Sequence, residues 1–400
     1  MLYRCRKLFL SCLVFVCMAA TTKAEAFESV RNKYVFILSD NQDSIALLPV
    51  IQKLYMKGEI PRVLTLGHAD LLVQKNPRLA NYFLYNIEEA QSPFFSNTTS
   101  LDEAIITKTV KQFPEAKYAI SGVLSIAQKQ LLEAFAKRGA KTIAYWDSLS
   151  SDGYVFDAVS GGGKRDPYFE IADACAGVAQ KVLVSCQNVA ESPKFASRAA
   201  TQLAVVGSPS LEFWTKKLAK MKAEPIQEKL DLSPTKKTIL ILGSQDAQYE
   251  KSFQLMVESL TKLQELFSFK LLVMPHPKNA MGLFEQRELF ASYIADWKVI
   301  SPDDHISAME ALRVSDTLLT YDSAMAVVAQ AAGKQVIFAI PEKDPYTNLL
   351  LDKNLAVKIQ IPREFVEEML FSKYIAKDVF QEFGIPQNSA DLILQEIQNF

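Results

Sequence analysis

At 400 residues the chain is long for one hydrophobic core, and its length argues for two domains. A composition of 49% hydrophobic and 22% charged residues is that of an ordinary folded protein, not a disordered or fibrous one. The formal net charge of −1 offers no basic excess, so nucleic acid is not among the expected partners.

The N-terminus departs from this background. Arg4, Arg6 and Lys7 precede an apolar run from Leu8 to Ala20, and Ala24-Glu25-Ala26 supplies an A-x-A cleavage pattern. That is the layout of a secretory signal peptide over residues 1–26. The run of 13 residues falls short of the ~20 that span a bilayer as a helix. The chain is therefore expected to be exported, periplasmic or secreted. A membrane anchor through residues 8–20 is the second reading. A lipoprotein is the third, because Ser11 precedes Cys12 while Phe9-Leu10 fits the rest of a lipobox poorly. Removing residues 1–26 takes away four basic residues and one acid and leaves a net charge of −4. It also leaves Cys175 and Cys186, an even pair in an oxidising compartment. A disulfide and two separate buried thiols are both open.

Short apolar runs alternate with helical patterns from the start of the mature chain. Strands are expected at Tyr34–Ser39, Arg62–Leu66, Lys117–Ser121, Thr142–Trp146, Lys181–Ser185 and Leu203–Val206. Helices are expected at Asp43–Lys57, closed by Gly58, and near Leu101–Gln112 and Ile126–Lys137. Strands separated by helices of this length imply βαβ units and a mainly parallel sheet. Ser148–Pro167, with glycines at 161–163, reads as a long loop. A polar, Lys-rich helical stretch to Lys229 and the Leu232-Ser-Pro-Thr235 break mark the domain boundary. A second series follows at Thr238–Leu242, Phe269–Met274, Lys298–Ile300, Thr317–Thr320 and Gln335–Ile340, and then helices at Pro362–Phe371, Lys377–Phe383 and Ala390–Gln398. The expected division is a first Rossmann-like domain over 27–210, a linker over 211–235, a second such domain over 236–361 and C-terminal helices over 362–400.

Two stretches carry the chemistry. In the first, the strand Thr317–Thr320 stops at Tyr321-Asp322-Ser323, and a small-residue helix from Ala324 to Ala332 ends at Gly333. Hydroxyls and a carboxylate thus stand at a strand's C-terminal end, the edge where open α/β sheets bind ligands, next to a helix start suited to phosphate. In the second, His276 follows a strand and lies between Pro275 and Pro277, which restrict its backbone. An imidazole so held could donate to a phosphate oxygen, or be satisfied by its own turn. Ser323 could donate to the same phosphate or cap its helix. Gly243-Ser244, after the first strand of the second domain, allows close backbone approach. A base would need a carboxylate within reach of an acceptor hydroxyl. Asp40, Asp43 and Asp147 each follow a first-domain strand, against turn, helix-start and loop roles respectively.

In this order the motifs resemble the GT-B superfamily of glycosyltransferases and sugar-nucleotide enzymes. Ile37 to Ile51 looks like the opening strand, loop and helix of the UDP-N-acetylglucosamine 2-epimerase branch. Val205-Val-Gly-Ser-Pro209 is similar to the Gly-x-Pro segment leading out of the first domain. Met274-Pro-His-Pro277 resembles the His-Pro element of CDP-glycerol glycerophosphotransferases and bacterial polysialyltransferases. Tyr321-Asp-Ser323 with Ala332-Gly-Lys334 is similar to the superfamily's donor-phosphate element. The resemblance covers nearly all of residues 34–345. It implies an α/β fold of two Rossmann-like parallel-sheet domains facing a central cleft. It further implies transfer of a sugar or glycerophosphate-type group from a UDP-, CDP- or CMP-linked donor to a glycan or envelope acceptor; peripheral membrane association is open beside it. The expected donor-side residues are His276, Ser323, Asp322, Gly243, Ser244 and Lys278, and the catalytic candidates are Asp43, Asp147 and Asp40.

The chain also departs from that pattern. The loop Ser39-Asp-Asn-Gln-Asp43 lacks the glycines of many transferases and the Arg-Pro-Glu of epimerases. Glu342 and Asp344 match the acidic pair that grips a donor sugar only in outline, and His68 and His305 match nothing. No Cys/His/Asp cluster has metal-ligand spacing and neither a P-loop nor G-x-S-x-G is present, so no metal or cofactor is expected. Export conflicts with the cytoplasmic location of nucleotide sugars. An exported GT-B protein without donor chemistry and a periplasmic solute-binding protein are therefore the alternatives. The export reading predicts a mature protein that begins at Phe27; N-terminal sequencing that returned Met1 would reject it.

Overall fold

The structure, a computed structural model, describes residues 33–67, 69, 84–87, 96–152, 154–157, 162–199, 202–244, 246, 248–276, 283–342, 344, 346 and 348–400. The expected signal peptide, His68 and Lys278 lie outside them. The chain divides into two units. The first runs to Ser148 and adds 170–210 and 388–400, and the second holds 149–169 and 211–387.

In the first unit the strands are β1 (Tyr34–Leu38), β2 (Arg62–Thr65), β3 (Leu84–Asn86), β4 (Tyr118–Ser121) and β5 (Lys141–Trp146). A hairpin of β6 (Tyr154–Asp157) and β7 (Gly162–Arg165) belongs to the second unit, and β8 (Lys181–Val184) and β9 (Leu203–Val205) return to the first. The seven-stranded sheet has the order β3-β2-β1-β4-β5-β8-β9, with every neighbouring pair parallel. Tyr-Val-Phe-Ile-Leu of β1 is buried at all five residues, the pattern of a strand with both faces covered. The strand order reverses between β1 and β4, and the loops leaving those two strands flank the switch point.

The second unit repeats the plan with β10 (Lys237–Leu242), β11 (Phe269–Met274), β12 (Trp297–Val299), β13 (Thr317–Thr320), β14 (Gln335–Ala339) and β15 (Val357–Ile359). Its six strands are also all parallel, in the order β12-β11-β10-β13-β14-β15. Here the reversal lies between β10 and β13. Helix Tyr249–Gln264 buries Phe253, Met256, Leu260 and Leu263 against this sheet's core.

Helix boundaries follow local chemistry. Asp40 caps helix Asn41–Met56 by accepting from the Gln42 and Asp43 N–H groups, and Gly58 at φ +83° takes the chain out of it. Ser125 and Gln128 form a capping box on helix Ile126–Lys137. Helix Met325–Ala331 ends at Gly333, whose φ is +76°.

Several features differ from expectation. The stretch read as a long loop over 148–167 contains the antiparallel β6–β7 hairpin. Helix Pro167–Val178 and the three-residue strands β3 and β15 carry too few patterned residues to stand out in the sequence. Cys175 and Cys186 are both free and buried, so the disulfide alternative falls. Burial pushes the Cys175 thiol up to about 12, with the Asp43 carboxylate adding to the effect. No helix among the described residues is long and apolar enough to cross a membrane.

The last helix, Ser389–Asn399, is part of the first unit and is separate from the other C-terminal helices, which stay with the second. It places Ile393, Leu394 and Ile397 in one core with Leu47, Val50 and Leu54 of helix Asn41–Met56. Ion pairs Lys53–Asp391 (2.7 Å) and Lys181–Glu396 (2.6 Å) border the seam. Burial of three aliphatic side chains stabilises by roughly 1.5–3 kcal/mol each. Removing residues 389–400 is therefore expected to lower the unfolding free energy of the first unit by an amount on the order of 4 kcal/mol or more, read as a lower urea midpoint. An unchanged midpoint would show that this helix does not hold the unit together.

Candidate functional site

Two groups of side chains gather at C-terminal strand ends, one in each unit. In the first unit the Asp43 carboxylate turns back over the end of β1. Its Oδ2 accepts from the Ser39 N–H (3.0 Å) and from Gln128 Nε2 (2.6 Å). Gln128 also donates to the Ile37 carbonyl (3.1 Å), and its Oε1 accepts from the Leu124 and Ser125 N–H groups. The loops after β1 and β4 are thereby tied to one carboxylate. Gly122 makes this possible, since a Cβ there would lie 1.8 Å from Asp43 Oδ1. Burial holds the Asp43 pKa well above the ordinary carboxylate range, and Asp40 and Asp147 push it the same way.

Asp147 follows β5. Its Oδ1 accepts from the Tyr145 hydroxyl (2.6 Å) and the Ser208 hydroxyl (2.7 Å), and the Gly207 carbonyl, 2.9 Å from the Tyr145 oxygen, competes for the same phenol proton. This is how the Val205-Val-Gly-Ser-Pro209 segment is used: it brings hydroxyls to a first-sheet carboxylate. Asp147 Oδ2 is buried and reaches no hydrogen-bond partner. Ser210, whose Oγ lies 3.2 Å from Ser208 Oγ, favours the charge more than the other two hydroxyls do. Desolvation raises Asp147 from 3.8 to about 6 against the pull of these hydroxyls. Of the three catalytic candidates, Asp40 is committed to capping and Asp43 to holding two loops. Asp147 alone combines an unengaged oxygen with a pKa near neutrality, the range suited to proton transfer.

In the second unit, β10, β11 and β13 deliver Gly243, His276 and Tyr321-Asp322-Ser323 to one edge. Gly243 is forced: a Cβ would stand 2.6 Å from the His276 backbone nitrogen. The Gly243 N–H donates to the Met274 carbonyl (3.0 Å), and Ser244 accepts from the Asp246 N–H (3.1 Å). His276 is half-buried and close enough to Asp322 to favour its charge. Asp322 remains accessible to water, yet the protein atoms crowding it raise its pKa, and Asp246 and Asp166 raise it further. Ser323 Oγ accepts from the Met325 N–H (3.3 Å), a local turn at the helix start. The Tyr346 hydroxyl donates to Asp322 Oδ1 (3.0 Å), the Tyr321 hydroxyl to Asp344 Oδ2 (3.0 Å), and the two rings pack at 5.1 Å. Tyr346, Asp246 and Asp166 carried no sequence signal, because each joins the group from a loop whose path depends on the fold.

Lys334 is a correction. The Ala332-Gly-Lys334 stretch was grouped with the donor-phosphate element, but Lys334 precedes β14 and so stands at the opposite edge of the sheet. Its ammonium donates to the Ser315 (2.6 Å) and Arg313 (3.3 Å) carbonyls. Glu342 is exposed, and Asp344 is engaged by Tyr321. Among the described residues no group of His, Cys, Asp and Glu is arranged to hold a metal ion.

Comparison with solved structures places this architecture. The UDP-GlcNAc 2-epimerase of Neisseria meningitidis, bound to UDP-GlcNAc, is 12% identical; the match covers 92% of this chain and all of that one, with a TM-score of 0.66. The UDP-GlcNAc 2-epimerase of Methanocaldococcus jannaschii gives 13% identity, the same coverage and 0.67. Acinetobacter baumannii MurG gives 13%, 92% and 100% coverage, and 0.56. No family model and no curated protein sequence matches the chain. The chain has the GT-B fold, an α/β architecture of two parallel-sheet units.

The raised Asp147 pKa has a consequence for stability. A carboxyl that titrates near 6 when folded and near 3.8 otherwise binds its proton more tightly in the folded chain. Its contribution therefore favours folding at low pH and is lost as pH rises through about 6. Asp147→Asn is expected to raise the unfolding free energy at neutral pH by an amount on the order of 1–2 kcal/mol and to flatten that slope. Denaturant titrations of both proteins across this pH range check it; a less stable variant at neutral pH would contradict it.

Proposed function

We propose that the protein is a nucleotide-sugar enzyme that transfers a sugar or glycerophosphate-type group from a UDP-, CDP- or CMP-linked donor to a glycan or envelope acceptor, and that it acts after export. The observation that carries the reading is the convergence at the switch point of the second sheet. There Gly243 admits the His276 backbone, and His276 lies close enough to Asp322 to favour its charge, with Ser323 the next residue in the chain. Backbone N–H groups, a hydroxyl and an imidazole at one strand edge can hold the phosphates of a nucleotide. That the Neisseria and Methanocaldococcus structures contain UDP-GlcNAc supports the choice of ligand. Asp147 is the acid–base group of the first unit, ionised at neutral pH and close enough to neutrality to exchange its proton.

A second reading is favoured by one observation. Asp166, Asp246 and Asp344 surround Tyr321 and Asp322, so carboxylates outnumber His276 where phosphates would sit. An exported protein that keeps the fold and binds a glycan without donor chemistry would tolerate that charge. Titration calorimetry separates the two. The wild type is expected to bind at least one of UDP, CDP and CMP. His276→Ala and Ser323→Ala are each expected to cost on the order of 1.5–3 kcal/mol, about 10- to 150-fold in affinity, without unfolding the protein. No binding of any of the three by the wild type would remove the transferase reading and leave the glycan-binding one.

A further inference from the structure

Away from the strand ends, the first unit has a groove between helix Glu103–Lys111 and helix Ile126–Lys137, with a volume of about 570 Å³. That lies within the range of small-ligand sites, roughly 300–1,000 Å³. The two helices run side by side in the same direction. Gln130 accepts from the Leu101 N–H (2.8 Å) and donates to the Leu101 carbonyl (3.2 Å), and Arg138 donates to the Val110 carbonyl (2.6 Å). Leu101 and Gln130 thus mark one end, and Val110 and Arg138 the other. Of the charged residues lining the groove, Glu103 and Glu133 fall toward the first end and Lys111, Lys137 and Arg138 toward the second. From Glu103 to Lys111 the wall is about 12 Å long, at 1.5 Å of rise per residue. Glu133 is paired with Lys129 (3.0 Å). Basic side chains in a last turn favour the helix itself, and Arg138 is used in that way on Val110. Lys111 and Lys137 are exposed and have no hydrogen-bond or ion-pair partner among the described residues. The same holds for Lys108, in an adjoining hollow that shares Glu103 and Lys111 with the groove.

We propose that this groove binds an acidic glycan, with sugar hydroxyls at the Glu103–Glu133 end and a carboxylate or phosphate group held by Lys111, Lys137 and Arg138. Ionised carboxylates only accept and so suit hydroxyl donors; ammonium and guanidinium groups only donate and so suit the oxygens of an anion. A ligand carrying both along its length matches both ends. A bare polyanion would be repelled at the first end, and a neutral glycan would leave the cations of the second without a counter-charge. A docked peptide helix would need apolar pockets, and the groove offers little apolar surface, since Leu101 and Val110 are 6% and 2% exposed. Helix Ile126–Lys137 starts from the loop after β4, so the hydroxyl end is the one nearer the ligand edge of the first sheet. Within the proposed function, on which this last step rests, the groove holds an acidic acceptor chain by its anionic units and leads its hydroxyls toward that edge.

The test is calorimetric titration of the purified protein at low ionic strength, without nucleotide, using trigalacturonate, a trimer of glycerol phosphate, and maltotriose. At least one anionic trimer is expected to bind at least about tenfold more tightly than maltotriose, the scale of one charge-assisted contact. The tighter of the two identifies the anion as carboxylate or phosphate. Lys111→Gln combined with Lys137→Gln is expected to weaken that binding at least about tenfold and to leave the urea midpoint unchanged, because neither lysine holds the fold together. Lys251→Gln combined with Lys262→Gln removes the same charge from exposed positions on helix Tyr249–Gln264 and is expected to leave the affinity unchanged. No binding of either anionic trimer, equal binding of maltotriose, or an equal loss in the two double variants would each overturn the proposal. Binding to phosphatidylglycerol vesicles in place of the trimers, lost in the groove variant, would also overturn it and assign this face to a bilayer. The nucleotide titrations report on the second unit, so a protein that binds a trimer and no nucleotide keeps the groove and loses the transfer.

Discussion

The Asp43 carboxylate is the constraint around which the ligand edge of the first sheet is arranged. A parallel sheet buried on both faces leaves its chemistry to the loops at the C-terminal ends of its strands. Those loops carry backbone N–H groups that must find acceptors. Asp43 accepts from the β1 loop directly and from the β4 side through Gln128, whose own amide is occupied at every position that the structure shows. The cost is a buried acid, and Gly122 is the residue that makes room for it. Asp147 is held separately, by the Tyr145 and Ser208 hydroxyls beyond β5.

The second sheet solves the same geometric problem differently. Close approach there is between backbones, Gly243 against Pro275-His276, and the side chains that converge are aromatic hydroxyls paired with carboxylates. Tyr321 and Tyr346 donate to Asp344 and Asp322 and their rings pack at a 37° tilt, so each of these two Asp residues is held by a phenol. Burial raises both phenols, which keeps them donors across the physiological range. The two units thus share a doubly wound plan and differ in what occupies the switch point: a carboxyl held by an amide in one, an imidazole among acids in the other.

How much of this could be read in advance depended on how local the cause was. Strands such as Phe269–Met274, Thr317–Thr320 and helix Pro362–Phe371 have the expected limits because burial on both faces writes an unbroken apolar run, or a proline writes a start. The hairpin at 154–165 was hidden by its glycines, and β3 and β15 by their three-residue length. Asp43 was legible as a candidate, but its burial is set by Gln128, 85 positions away. The pairing of Asp322 with Tyr346 spans 24 positions and leaves no pattern. Lys334 is instructive in the other direction. A residue immediately before a strand stands at its N-terminal end, so the sequence itself placed that ammonium away from the ligand edge, and motif resemblance overrode the simpler geometric reading.

The electrostatics of the second unit bear on which of the two readings holds. A donor diphosphate there would sit among Asp166, Asp246, Asp322 and Asp344, with His276 as the imidazole nearby. Within the transferase reading those carboxylates oppose the phosphates. Within the binding-protein reading no phosphate has to be held against them. The charge at the strand ends is therefore the property on which both readings agree, and the phosphate-holding power of His276 and Ser323 against that charge is the point at which they part.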